Sequence, residues 1–219
     1  MSLHLQRDLD HLKKEILQLG SMVETVINNA IISLTERRPE LAERVFEEEK
    51  LINSKEVLIE EDCLKILALH QPVAVDLRFI VVVLKVNNDL ERMGDLAVNV
   101  AKRAIFLASK EPIPCPIEFT DNMPKNIRTM VHDSLDALVK LDLKLACKVI
   151  AMDDEVDDVN RQMYAEAQKL MEDDPSTIKR AIGMLSSSRY LERIADLATN
   201  IAEDVIFMVE GEVVRHQIN

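Results

Sequence analysis

A chain of 219 residues is long enough for one or two domains with a core of their own, and 47% apolar with 30% charged residues is an ordinary globular balance. With aromatics at 3%, no Trp and only 4 glycines, the composition argues against sheets and tight turns and for long helices. A formal net charge of −12 argues against direct binding of DNA, RNA or anionic lipid, whose phosphates need Lys and Arg to neutralise them.

Leu5, Leu9, Leu12, Ile16, Leu19, Val23, Val26, Ala30 and Leu34 recur in steps of four and three, predicting one long first helix. Glu36-Arg37-Arg38-Pro39 stops it, and Pro39 suits the first turn of a second helix. Leu41, Val45, Ile52, Ile59, Cys63 and Ile66 stripe that helix until Pro72 in HQPVAVDLR, from which a third helix is expected to run from about Val73 to Ala108. Ser109 to Pro124 holds four of the seven prolines and reads as a linker.

The three-helix pattern then returns. Ile127, Val131, Leu135, Leu138 and Leu141 stripe a fourth helix. Val149, Met152, Val156, Val159, Met163, Ala167 and Leu170 stripe a fifth. Asp173-Asp174-Pro175-Ser176 breaks it with good N-cap chemistry, and a sixth helix reaches about Glu210, with Gly211 as its C-terminal cap. The expected organisation is a first bundle at residues 1–108, a linker at 109–124 and a second bundle at 125–219.

The halves also match in residues. NNDLERMGDLAVNVA (Asn87–Ala101) and SRYLERIADLATNIA (Ser188–Ala202) share eight of fifteen positions at an offset of 101 residues. Glu40–Asn53 aligns with Lys144–Asp157 at an offset of 104. The fold class expected is all-α, a tandem repeat of a three-helix bundle.

The repeated segment contains acid pairs four residues apart, Glu91 with Asp95 and Glu192 with Asp196. On a helix such like charges repel by roughly 0.2–0.5 kcal/mol. At 100° per residue, Glu91, Asp95 and Asn99 share the polar side of helix three, as Glu192, Asp196 and Asn200 share that of helix six. Glu49 with Asn53 edges the apolar stripe of helix two, and Asp153 with Asp157 that of helix five. One such pair reads as a solvated polar face. Paired helices that repeat it twice suggest oxygen-rich grooves needing a cation to offset the repulsion. Carboxylate and amide oxygens without thiolate suit hard cations such as Mg, Mn, Fe or Ca; zinc more often takes histidine, and neither cluster has one.

Other polar residues have plainer readings. Asp8-x-x-His11 reads as an exposed helix feature, Arg78 as an N-terminal-turn salt bridge, and His70 as a C-terminal-turn residue favoured by the helix dipole. Arg92 and Arg193 either shield the acids or decorate a polar face. No nucleophile constellation, Gly-rich phosphate loop or basic–aromatic pattern occurs, so no catalytic residue is expected. Cys63, Cys115 and Cys147 are scattered singly and suggest a reducing compartment. The N-terminal stretch lacks an apolar signal-type run, and FIVVVL (Phe79–Leu84) is too short to span a bilayer, so a cytoplasmic protein is expected.

The doubled LERxxDLAxNxA, QPVAVDLR at the start of helix three, and the carboxylate pairs of helices two and five resemble the PhoU family of phosphate-transport and phosphate-signalling regulators, over essentially the whole chain. The resemblance implies a PhoU-type helical bundle and metal ions on oxygen ligands, with Fe, Mn, Mg or Zn as candidates. One site would use Glu49, Glu91 and Asp95, and a second Asp153, Asp157, Glu192 and Asp196, with Asn99 and Asn200 adjacent. Asn53 stands where the family pattern has an acid, so the first site is expected to be the weaker. Gly94 gives way to Ala195 in the second copy, which should only adjust packing. The role implied is a cytoplasmic, often dimeric negative regulator that links the phosphate ABC transporter ATPase to a sensor histidine kinase. A carboxylate-bridged, metal-dependent phosphoesterase and a metal-free helical scaffold are the alternatives.

Overall fold

Apolar spacing of three and four dictates the secondary structure. The computed structural model describes residues 3–116 and 118–211. Among them six α-helices follow one another: α1 (Leu3–Thr35), α2 (Pro39–His70), α3 (Ala74–Ala108), α4 (Met123–Lys140), α5 (Leu143–Asp173) and α6 (Ile178–Glu210). No strand occurs among the described residues. The expected breaks fall where local chemistry puts them. Arg37 takes a left-handed conformation after α1, and Pro39 opens α2. Gln71, also left-handed, caps α2 by donating its N–H to Leu67 O. Asp174 accepts from Ser176 N before the 3-10 turn Pro175–Thr177, and Gly211 closes α6 at φ 78. Asp142, which the apolar pattern did not single out, caps α5 by accepting from Lys144 N and Leu145 N.

The sequence stripes become the core. Leu12, Leu19 and Ile27 of α1, Ile52 and Ile59 of α2, and Ile80, Leu90 and Met93 of α3 are almost fully buried, as are Met123, Ile127 and Met130 of α4. Each such side chain contributes roughly 1.5–3 kcal/mol on leaving water. α1, α2 and α3 pack on one another, and so do α4, α5 and α6. The two sets are not insulated. One continuous apolar cluster runs through both, carried by α3 against α6 and, less extensively, α1 against α4.

Two glycines permit these cross-contacts. A Cβ at Gly20 would stand 3.0 Å from Leu135 Cδ1, and one at Gly183 would stand 3.3 Å from Leu107 Cδ2. α3 and α6 run antiparallel, since Gly183 near the start of α6 meets Leu107 near the end of α3, while Lys85 near the start of α3 binds Asp204 near the end of α6 at 2.8 Å. Asp204 is 2% exposed, and the Lys85 ammonium also lies 5.1 Å from the Phe207 ring centre.

Some expectations are corrected. Leu141 does not continue the stripe of α4; it is the left-handed C-cap at φ 54 and is 47% exposed. α3 begins at Ala74, two residues after Pro72, because Val73 is extended. Within the proline-rich connection, Glu118–Asn122 forms a π-turn and α4 already starts at Met123. Arg78 makes no ion pair among the described residues; its guanidinium lies over Gly211, where a cation complements the carbonyl end of α6. Asp8 is not merely exposed helix decoration: it binds His70 Nε2 at 3.0 Å, joining α1 to the end of α2, while His11 lies 3.8 Å from Asp62.

Leu141 offers a direct test of the cap. A left-handed conformation costs a branched residue roughly 1–2 kcal/mol, and its exposed side chain gives little burial in return. Leu141→Gly should stabilise the protein by about 0.5–1 kcal/mol, read as a higher denaturation midpoint at unchanged slope.

Candidate metal centre

The short turn at 71–73 sends α3 back along α2, and two contacts fix their register. Asn87 Nδ2 donates to Glu56 O at 2.9 Å, and a Cβ at Gly94 would meet Ile52 at 3.5 Å. That spacing is ordinary contact, so the alanine at position 195 of the second half fits the same packing. The antiparallel register sets Asn53 across from Glu91, and Glu49 across from Asp95. α5 and α6 repeat it. Ser188 Oγ donates to Asn160 Oδ1 at 2.8 Å, Asp157 faces Glu192, and Asp153 faces Asp196.

The second half brings its acids into a cluster. Carboxylate oxygens of Asp157, Glu192 and Asp196 all lie within 4.8 Å of one another. At such a separation a pair of charges repels by between about 1 and 3 kcal/mol, depending on how much water reaches it. Asp153 neighbours them, and its carboxyl is pushed up to about 6 by burial, then by the charges of Asp196 and Asp157, partly offset by the Thr199 hydroxyl. Glu192 and Asp196 are also raised, first by burial and then by neighbouring acids. Asp153 Oδ1 and Glu192 Oε2 are shut off from solvent without a hydrogen-bond partner. Buried acceptors left without donors are costly, and a cation is the group that satisfies several at once. Arg161 and Arg189 stand at the rim, each 4.0 Å from an acid of the cluster, Asp157 and Glu192 respectively. Arg193 lowers Glu192 and Asp196 more weakly than Arg189 does.

The first half is arranged differently. Asn53 Nδ2 donates to Glu49 Oε1 at 2.6 Å, so the amide ties up one of the expected ligands. Glu91 is raised by burial, then by Asp95, Glu56 and Glu49, with Arg92 opposing. Arg92 itself reaches Asp89, at 3.5 Å. No trio of acids as tight as that of the second half occurs here among the described residues. Asn99 and Asn200 lie half-buried one turn beyond Asp95 and Asp196, and neither hydrogen-bonds to the acids among the described residues. Sequence reasoning missed Glu56, Asn87, Asn160 and Ser188. The signal was available in the spacing, since Glu56 follows Glu49 by seven residues and Asn87 precedes Glu91 by four, which places them on the same faces.

These features define an all-helical tandem-repeat protein with a carboxylate-lined seam in each bundle, the donor set of the second fitting a hard cation. The PhoU domain family model matches residues 16–104 and again 120–205, one match per bundle. The chain belongs to the PhoU family. It is 40% identical over 213 residues to the phosphate-specific transport system accessory protein PhoU homolog of Aquifex aeolicus, covering 97% of this chain and 96% of that protein. It is 32% identical over 209 residues to the Escherichia coli protein PhoU of the same description, covering 95% and 86% respectively. The crystal structure of PhoU from Pseudomonas aeruginosa superposes with a TM-score of 0.92 at 37% identity, covering 94% of this chain and 99% of that one. That of the phosphate transport system regulatory protein PhoU from Streptococcus pneumoniae does so at 0.87 and 28%, covering 96% and 99%.

The raised carboxyls predict an unusual pH response for the metal-stripped protein. Asp153 holds its proton to about 6 when folded and only to 3.8 as an ordinary side chain, so between these values the folded state binds more protons. Stability therefore rises as pH falls from 7 toward 4. Asp8, Asp136 and Asp174, held below their ordinary range, lose their contribution only at still lower pH. Thermal melts of EDTA-treated protein should show greater stability at pH 5 than at pH 7. Asp153→Asn should flatten that rise by about 1 kcal/mol once solvent screening is discounted.

Proposed function

We propose that this protein is an accessory regulator of phosphate-specific transport. It works by protein contact and performs no catalysis. When phosphate is plentiful it restrains uptake and the starvation response by coupling the phosphate ABC transporter ATPase to a sensor histidine kinase. The observation that carries this reading is the family match in both bundles, supported by relatives named as transport-system accessory proteins over nearly their whole length. The long acidic helical faces suit protein contact rather than nucleic acid. No described helix is long and apolar enough to cross a membrane. We place the protein in the cytoplasm, acting as a homodimer beneath its membrane partners.

The carboxylate seams are the second part of the proposal. Asp157, Glu192 and Asp196 would hold a divalent or trivalent cation, with Asp153 beside them. The ion would turn mutual repulsion into cross-linking of α5 to α6, fixing the surface offered to partners.

Two measurements test these points. Deleting the gene in its host should switch on a phosphate-starvation reporter at high phosphate, and re-expression should switch it off; a reporter silent in the deletion strain would refute the regulatory role. Elemental analysis of protein purified without chelator should find bound Fe, Mn, Mg, Zn or Ca, with the content reduced by Asp157→Asn combined with Glu192→Gln. Metal-free protein whose melting is indifferent to EDTA would refute the metal role.

A further inference from the structure

The repeat that shapes the two bundles breaks down on one outer face. Helices α2 and α5 align at an offset of 104 residues, and their inward positions keep one character: Val45 and Val149, Ile52 and Val156, and Ile59 and Met163 are all buried. The outward positions do not. Leu51, Val57, Leu58 and Leu64 of α2 are each at least half exposed. Their counterparts on α5 are Glu155, Arg161, Gln162 and Gln168, which are also exposed and are all polar. Helical position and exposure are shared by the two copies, so the fold does not require these leucines and this valine. An apolar patch kept in water where the sister helix is polar marks a contact surface.

The four side chains form two ladders. Leu51 and Leu58 stand seven residues apart, as do Val57 and Leu64, and at about 100° per residue Ser54 and Glu61 lie between the ladders. Ser54 is short and turns its hydroxyl back to Lys50 O at 2.9 Å. The charges of the face are one-sided. Lys55 is taken by Glu15 and Gln18, and Lys65 lies 3.1 Å from Asp62. Glu47, Glu60 and Glu61 then stand exposed against Lys50 alone. The edge toward α3 is the carboxylate seam, where Glu56 is raised by burial and then by the charge of Glu60.

We propose that the outer face of α2 docks a partner protein through a basic amphipathic helix, whose apolar stripe lies along the two ladders and whose Lys or Arg meet Glu61 and the acids at the edge. A second copy of this chain would bring the same acids to the face, and an anionic lipid surface would be repelled by them. The inference rests on the reading that the protein works by protein contact, and adds the face and the chemistry of what it meets.

Fluorescence anisotropy on the full chain tests this with two synthetic helical peptides, one of Leu and Lys and one of Leu and Glu in the same pattern. The Leu/Lys peptide should bind and the Leu/Glu peptide should not. Leu58→Gln combined with Leu64→Gln installs the residues found at 162 and 168 without changing the charge, and should weaken binding by at least about tenfold at an unchanged melting temperature. Gln162→Ser combined with Gln168→Ser on α5 should leave binding unchanged. In the host, the α2 variant should switch on the phosphate-starvation reporter at high phosphate, and the α5 variant should not. Leu/Lys binding that survives the α2 substitutions, or equal binding of the Leu/Glu peptide, overturns the proposal. A reporter that stays silent with the α2 variant but is switched on by gene deletion overturns it too, and leaves the regulatory role standing. If sedimentation shows a wild-type dimer that the α2 substitutions split, a second copy covers the face and the proposal fails.

Discussion

The structure depends on a conflict between the two sides of each helix pair. Val45, Ile52 and Ile59 of α2, and Val149, Val156 and Met163 of α5, must leave water, and only close packing against α3 and α6 lets them do so. Each contributes roughly 1.5–3 kcal/mol. The same packing brings acids face to face along the seam, at a cost of about 1–3 kcal/mol for each close pair. Burial outweighs repulsion, so the helices pair, but the repulsion is retained as raised carboxyls and orphaned oxygens. The sequence stores an unmet electrostatic demand at a place the core alone determines.

The join between the bundles follows the same logic with opposite chemistry. α3 and α6 each serve three neighbours, two in their own bundle and one across the join. Gly183 of α6, against Leu107 and Phe106 of α3, lets the two helices sit close. The buried Asp204 at the join receives Lys85, so the charge there is met from within the protein. Among the described residues no Lys or Arg closes on the second-bundle acids in the same way. Arg161 and Arg189 approach to 4.0 Å and stay at the rim.

Most of the fold was legible in the chain, because apolar periodicity, proline and glycine act locally. The stripes of α1 and α2 are buried almost residue for residue, and Pro39, Asp174 and Gly211 act where expected. The misreadings share a cause. Leu141 looked like a core position by spacing, but the chain turns left-handed there. Arg78 meets Gly211, and Asp8 meets His70, across separations that periodicity does not encode. At the seam, the pairing of Asp157 with Glu192 and Asp196 follows from repeat and register together. Glu56 escaped because aligning the repeats compares like positions, whereas a binding groove is set by what faces what.

That difference also explains how duplicated halves can diverge without loss of balance. Along the seam the first bundle carries Glu49, Glu56, Glu91 and Asp95, and the second carries Asp153, Asp157, Glu192 and Asp196. Each holds four acids, and an amide occupies the turn that its counterpart fills with an acid. Moving an acid by one turn leaves the total charge of the helix pair unchanged. What changes is the local donor set: a tight carboxylate trio in one, carboxylates mixed with amide oxygens in the other. Because the backbone register of the first pair is fixed by Ile52 against Gly94, the exchange alters chemistry without moving a helix. A repeat protein can in this way give two seams of one shape different preferences for what they hold.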